Sequence, residues 1–521
     1  MLTAVKVFMR KLTPLATAML VAFSGNVLSD NNTSILTQVG SGNLANADQV
    51  DPTTQNNLIV QTQVGTANDS VASQVTGTSS SVATHLQTGE LNVATSSQAD
   101  NTHLSVISIN QTGSSNDASI EQDGAITSTA IINQAGTMNE ADIDQEDEPI
   151  LSVAIINQVG VMNVAEIDYD GGVASSIASI NQIGEMNEAF IEHDDAIAST
   201  ALIYQTGTLN EAEIEQEGGP VVASIATINQ LGSMNEAEAI QEETTLSSIF
   251  VNQVGSMNEA EASQEEVNAS SIFLNQVGSM NEAEVSQEDV NASSIFFNQV
   301  GSMNVGEVSQ PEEVNASSIF FNQVGSMNEA DVSQEEVNAS NIFFNQVGSM
   351  NEAGVGQEDE VTASSIFVNQ FGSMNGTAVF QEGATLSSIF VNQFGSMNVV
   401  EGGQEDGVTA SSIFVSQVGS MNEAGVGQED GVTASSIFVN QVGSMNEAGV
   451  GQEDGVTASS IFVNQVGSMN EAGVVQAGAT LSTAMISQVG SGNSYITTQT
   501  GVGQTSIVVQ IGSGNMGSIM Q

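Results

Sequence analysis

The sequence has no cysteine, no tryptophan, five prolines in 521 residues, and three cationic side chains against 61 acidic ones. Without cysteine, neither disulfides nor thiolate metal sites can hold the chain together, so stability has to come from backbone pairing and packing. Aromatic residues make up 4% of the chain while Gly numbers 50, which argues against several large globular cores in spite of the length. The three cations are Lys6, Arg10 and Lys11. Nothing downstream of them can neutralise phosphates, and nucleic acid is excluded as a partner. No apolar run approaches the ~20 residues of a membrane-spanning helix, so no membrane span is expected.

Those cations precede the apolar stretch Leu12–Phe23 and a run of small residues, which is how a secretory signal is built. Cleavage is expected after Ser29, with Ala22–Ser24 as a second candidate. Residues 1–29 are then a signal peptide, the mature chain carries no Lys or Arg, and the product is secreted.

What the sequence has in quantity is repetition. The string Gln-Val-Gly-Ser-Met-Asn occurs eight times, first at Gln253 and last at Gln465. Counting from that Gln, 21 units run from Gln38 to Gln510 at spacings of 22 to 25 residues. All 21 carry Gly two positions later and Asn five positions later. Nineteen carry a second Gln eleven positions later, Tyr169 and His193 being the exceptions, and 18 have Ser six positions earlier. A period of this length marks a solenoid or an array.

In the unit Ser247–Gln264, β-branched and aromatic residues dominate the segment up to Gln253, which reads as a strand. Val254–Met257 reads as a turn, with Gly255 free to take a positive φ. Asn258–Gln264 alternates as a second strand. Length changes fall only between the second Gln and the next Ser, so one corner tolerates insertion and the rest does not.

A period of two puts Ser247, Ile249, Val251 and Gln253 on one face, and Asn258, Ala260, Ala262 and Gln264 on the facing side of the second strand. The result is a thin β-arch whose interior mixes aliphatic groups with carboxamides. One arch cannot stand alone: about four buried aliphatic side chains at ~1.5–3 kcal/mol each oppose the ordering of ~23 residues at ~1–2 kcal/mol each. Stacking arches ~4.8 Å apart lets each strand bond above and below. It also sets Gln253 on Gln276, Asn258 on Asn281 and Gln264 on Gln287, with Gln441, Asn446 and Gln452 further along the same columns. Side-chain amides can then donate and accept in ladders. The expected fold is all-β, a β-solenoid of about 21 strand–turn–strand layers in two parallel, in-register, cross-β sheets.

The pattern Ser-x5-Gln-x-Gly-x-Gly-Asn-x-Ala-x3-Gln resembles the repeat of curlins, the secreted subunits of bacterial curli amyloid. Ser482, Gln488, Gly490, Gly492, Asn493 and Gln499 meet it, as do Ser247, Gln253, Gly255, Asn258, Ala260 and Gln264 with Met in place of the second Gly. The resemblance covers essentially the whole chain after the signal. It implies a solenoid that adds end to end into fibres of the biofilm matrix, a homopolymer begun by a nucleator subunit after export through a secretion pore. Three features depart from the family pattern. There are 21 repeats where about five are familiar, Met holds most second-Gly positions, and no Gly-rich segment precedes Ser34.

Odd offsets should point outward. On the first strand they give a row of ten Phe, beginning Phe250, Phe273, Phe296, Phe320 and Phe343. Such a row either joins rods laterally or stabilises its own sheet as an aromatic ladder. The second strand points Glu188, Glu211, Glu236, Glu259 and Glu282 outward, carboxylates ~5 Å apart that repel by ~1 kcal/mol per pair in water. The aspartate repeats of calcium β-rolls are missing, so these acids read first as a solvated face, with divalent cations as the ions such a face would take.

Composition divides the chain into a Ser/Thr-rich segment (30–125), an acidic segment with the Phe row (126–476) and an uncharged C-terminal segment (477–521). His85, His103 and His193 are isolated, and no nucleophile, base and orienting group recur together. No enzyme activity and no cofactor is expected. The expected role is a self-assembling structural subunit, and the alternative is a monomeric extracellular adhesin presenting its Phe or acidic face.

Overall fold

A computed structural model describes residues 22–23 and 31–521, apart from 147, 169–173, 193–196, 218–222, 289, 312–315, 336 and 360. The signal segment and its cleavage positions, together with Tyr169 and His193, fall largely or wholly outside the described residues. Two compact units divide the chain, Met1–Ala198 and Ser199–Gln521. Each is a β-solenoid of parallel stacked strands, with no helix among the described residues.

The local cause is the run of β-branched and aromatic residues before each first Gln. In the second unit these form fourteen nine-residue strands, from Thr200–Thr208 to Thr505–Ser513, stacked in sequence order. The first unit has seven, from Thr33–Ser41 to Ile177–Glu185. Pairing is parallel and in register: Ile249 lies on Ile272, Phe250 on Phe273, Gln253 on Gln276 and Gly255 on Gly278. The expected inward set is buried, namely Ser247, Ile249, Val251, Gln253, Asn258, Ala260, Ala262 and Gln264.

The first corner is tighter than the expected four-residue turn. The strand continues through Val254 and Gly255 to Ser256, and the bend is made at Met257, whose φ is 55°. The left-handed region costs a side chain with a Cβ ~1–2 kcal/mol, and Gly42, Gly492 and Gly514 hold this position with φ of 72°, 63° and 67°. Met257 is held there by its own N–H, which donates to Ser233 O in the preceding layer at 3.0 Å. Gly255 is required for a different reason. Its φ is 135°, and a Cβ there would lie 1.7 Å from the carbonyl oxygen of Gly278.

The second corner, read from sequence only as a turn, has a structure of its own. Val408, Val432, Val456 and Ala479, nine positions before the first Gln of their layers, form a buried column. Beside them Thr409, Thr433, Thr457 and Thr480 bridge from layer to layer. The inserted residues fall between this column and the preceding Gln, where they disturb no pairing.

The second strand is less regular than expected. It is formed by Glu352–Glu358, Glu423–Gln428 and Glu447–Glu453, but residues 211–217, 236–242 and 259–264 have no ladder. Their backbone instead carries positive φ at Ala239, Ile240, Gln241, Ala262 and Ser263. The irregular layers set two outward acids on each strand, such as Glu236 with Glu238 and Glu259 with Glu261. Three regular layers have Gly354, Gly425 or Gly449 at the second position, while Glu140 with Asp142 and Glu329 with Asp331 keep two acids on strands that still pair.

The core also holds a feature the alternation did not single out. Phe297, Phe321 and Phe344 point inward in three successive layers, fully buried and stacked, with ring centroids 4.4 and 5.1 Å apart. Gly306 makes room for them, since a Cβ there would meet Phe297 Cζ at 2.6 Å.

Two glycines therefore have opposite sensitivities. Gly255→Ala should destabilise its layer by about 3 kcal/mol or more, through the backbone clash and the forced φ. Gly449→Ala, with nothing within 4 Å of the new Cβ, should be neutral or stabilising by ~0.4–1 kcal/mol. Amide hydrogen exchange in the neighbouring layers distinguishes them.

Candidate functional site

The Asn and Gln columns set the geometry from which any assembly follows. Asn258 donates three bonds to the two adjacent layers: its Nδ2 to Asn235 Oδ1 at 2.9 Å and to Gly278 O at 3.3 Å, and its backbone N–H also to Asn235 Oδ1 at 3.3 Å. In turn, Asn281 donates to Asn258 Oδ1 through both its backbone N–H and its Nδ2. Only a short side chain with both a donor and an acceptor does this, which excludes Asp at the position. Gln253 Nε2 donates to Gln276 Oε1 at 3.0 Å and to Asn258 O at 3.1 Å, so it also ties the first corner shut. Ser270 N–H donates to Ser247 Oγ at 3.4 Å, linking the Ser column in the same way.

The ladders have polarity. The first-Gln column donates towards the C-terminus, as from Gln441 to Gln465 to Gln488 to Gln510. The Asn column donates the other way, as from Asn446 to Asn422. In the second-Gln column the direction changes within the second unit. Gln264 donates back to Gln241, Gln287 to Gln264 and Gln334 to Gln310, whereas Gln357 donates forward to Gln381 and Gln452 to Gln476. Where the two directions meet, the Oε1 atoms of Gln334 and Gln357 are both buried without a hydrogen-bond partner. In the first unit Gln145 Nε2 is likewise unpartnered, and the next position of its column in the sequence is Tyr169.

The outward Phe residues stack from Phe250 to Phe462 with neighbouring centroids 4.5–5.2 Å apart and nearly parallel planes. Phe250, Phe273, Phe296 and Phe320 remain 37–39% exposed, and Phe343 is half-buried. Sequence reasoning missed the row beside them, because Met257 and its equivalents looked like turn residues. All ten Met at this corner from Met257 to Met469 are exposed.

The acids lie on the other strand. Glu188, Glu211, Glu236, Glu259 and Glu282 are exposed as expected. Burial raises the carboxyl of Asp144 to about 7, with Glu146 and Glu121 adding repulsion, and Glu121, Asp144 and Glu146 each bring an oxygen within 4.8 Å of the others, close enough to share a cation. Burial, contacts with Glu213 and Glu217, and their charges push Glu215 up to about 8. Glu238, Glu307 and Glu405 are raised for the same leading reason, burial. In the layers from Ala378 to Glu453 the glycines of this strand floor an open trough of about 540 Å³.

His85 proves to be a core residue. It takes an inward position, its Nδ1 lies 2.9 Å from Ser70 Oγ and its Nε2 2.8 Å from Ser96 Oγ, and burial lowers its pKa to about 4. His103 sits in the second corner against Ser79.

Replacing Gln428 by Leu removes two ladder bonds and strands a buried donor on Gln404 and a buried acceptor on Gln452. Gln334→Leu removes one bond and strands Gln310 Oε1 but also removes an orphan, so it should be milder by about 2–6 kcal/mol, since each of the two extra stranded groups costs ~1–3 kcal/mol. Local hydrogen exchange compares the two. For His85, a depressed folded pKa means that its contribution is intact above ~6.5 and is lost as the pH falls towards 4, by about 3 kcal/mol. Denaturant titration of the first unit's layers should show this loss in the wild type and not in His85→Leu. No protein-family model matches the chain, and no curated protein matches it.

Proposed function

We propose that this protein is a secreted structural subunit that assembles end to end into curli-like functional amyloid fibres of the extracellular matrix, and that its repeats belong with the curlins. It works without catalysis or cofactor, and its partners are further copies of itself, a nucleator and a secretion pore. The observation that carries the reading is the stack itself, parallel and in register with each amide column continued by its own kind, and what a further layer would meet is seen at the last described layer. Its strands Thr505–Ser513 and Met516–Met520 pair on one side only among the described residues. Ile507, Val509 and Ile511 are 62–74% exposed, and no acid follows Glu471. Ordinary proteins block such an edge with charge or proline. The first-Gln column ends with Gln510, whose Nε2 bonds to Ser494 O at 3.3 Å, and it begins with Gln38, which donates inward to Gln63. A second copy stacked head to tail would continue each column in its existing direction.

The edge has an exact chemical handle in its backbone. In the preceding strand Thr483 N–H donates forward to Gln504 O, and by the same alternation the N–H groups of Ile507 and Val509 face outward from the last layer. Proline at both positions removes these donors without touching the ladder behind them. Ile507→Pro/Val509→Pro should keep its β-sheet circular dichroism and lose fibre elongation at its C-terminal edge in thioflavin assays. Elongation at the wild-type rate would refute end-to-end growth, and a wild type that never forms cross-β fibres would favour the monomeric adhesin.

Assembly should also depend on salt and acid. The raised carboxyls of Asp144 and Glu215 bind protons more tightly in the folded chain, so their stabilisation is complete below pH ~4 and is lost as the pH rises through about 7 and 8. Polymerisation should accelerate between pH 8 and 5, and on adding NaCl or divalent cations at neutral pH, because screening removes like-charge repulsion. Rates indifferent to both would contradict the role given to the acidic face.

A further inference from the structure

The outer face of the first strand in the second unit carries no ionisable group in the ten layers that hold the Phe row. Across a layer it presents Ser248, Phe250, Asn252, Val254 and then the corner Met257, and the next layers repeat this set with little change. All the acids of these layers lie on the second strand or the second corner. Ten layers at ~4.8 Å and nine residues at ~3.3 Å give a face of roughly 1,400 Å². The largest apolar patch on an ordinary monomer is about 300–600 Å², and a stable interface takes ~800 Å² from each partner.

The outward Asn column of this face is bonded along its own length. Asn252 Nδ2 donates to Asn275 Oδ1 at 2.7 Å, Asn275 to Asn298 at 2.7 Å and Asn298 to Asn322 at 2.6 Å. Covering the face therefore removes water from Phe, Val and Met surface and strands few polar groups.

We propose that this neutral face is a lateral interface, and that its occupant is the same face of a second copy. Charge selects the occupant: at a formal net charge of −58, two copies side by side keep their carboxylates apart when these faces meet, which leaves both acidic sides in solvent. Spacing selects it too, because a contact made in one layer is repeated at the same interval in the next nine. Adjacent rings are 4.5–5.2 Å apart and leave no gaps along the column. The two Phe ridges therefore lie side by side, each against a row of small side chains, and do not interdigitate. The inference is independent of end-to-end growth and adds width where that reading adds length.

The test uses the full chain carrying Ile507→Pro/Val509→Pro, so that pairing is read apart from elongation. Sedimentation equilibrium should give twice the chain mass of 53.7 kDa at micromolar concentration. Phe296→Ser/Phe320→Ser/Phe343→Ser should return it to a single chain. So should Val277→Glu/Val300→Glu/Val324→Glu, which leaves the Phe ladder intact and sets carboxylates face to face. Glu236→Gln/Glu259→Gln/Glu282→Gln, on the opposite side, should leave the pair unchanged. Circular dichroism matching the parent shows that each variant is folded. A parent that stays single at all concentrations, a pair that survives both face variants, or a pair split by the Glu→Gln variant would overturn the proposal.

Discussion

A carboxamide buried in a thin β-arch has nowhere to bond except to the layers above and below, and the rest of the structure follows from that constraint. The backbone of each strand is satisfied by any neighbour in parallel register. The side chains of Gln253, Asn258 and Gln264 are satisfied only when the neighbour offers an amide at the same height. This requirement fixes the register absolutely, because a slip of one residue would point all three amides at solvent and the outward residues at the core. It also explains why insertions are confined to the second corner, since an added residue anywhere between Ser247 and Gln264 would break a column. Gly255 belongs to the same constraint: the carbonyl of the next layer occupies the space where its side chain would be.

The price of carrying 61 acids is visible where they are densest. They are kept off the first strand's outer face through the Phe-bearing layers and gathered on the second strand, which loses regular pairing over residues 211–217, 236–242 and 259–264 and regains it from Glu352 onward. The second-Gln column reverses direction close to where the regular strand returns, leaving the buried oxygens of Gln334 and Gln357 without partners. A ladder of amides behaves like a row of dipoles, in which each block can run either way but two blocks of opposite sense must meet at a defect. The first-Gln and Asn columns escape this because the well-ordered first strand and corner hold them in one sense throughout each unit.

The fold was legible because the repeat is long and its offsets do not drift. Alternation alone placed Ile249, Val251, Ala260 and Ala262 inside, and the fixed amides implied stacking of like on like. Three things were not legible. The αL conformation of Met257 gave no sign, since methionine is an unusual choice there, and only the glycines at Gly42, Gly492 and Gly514 pointed to it. Phe297, Phe321 and Phe344 stand beside outward Phe residues in the sequence, so their inward role follows from parity but their fit depends on the space left by Gly306. The second-corner column of Val408, Val432 and Val456 follows a variable-length segment, where counting from the preceding Gln fails and only counting back from the next one succeeds. Of the candidate surfaces, the Phe row was legible as a stripe. The Met row that widens it into a face was not, because a turn residue is ordinarily read as solvated.

Many layers in one chain alter what limits assembly. A short solenoid must first gather enough copies to bury its end layers, and that gathering depends on concentration. Fourteen layers within one unit arrive already stacked, so under the proposed assembly a joining strand would meet a preformed layer, and a nucleator would supply a first contact and not an ordered template. What then opposes contact between copies is long-range charge repulsion rather than the entropy of ordering a strand. A chain that assembled as proposed would gain most by removing charge where copies would meet. That is where it is absent: beyond Glu471 at the C-terminal edge, and across the face that carries Phe250 to Phe462.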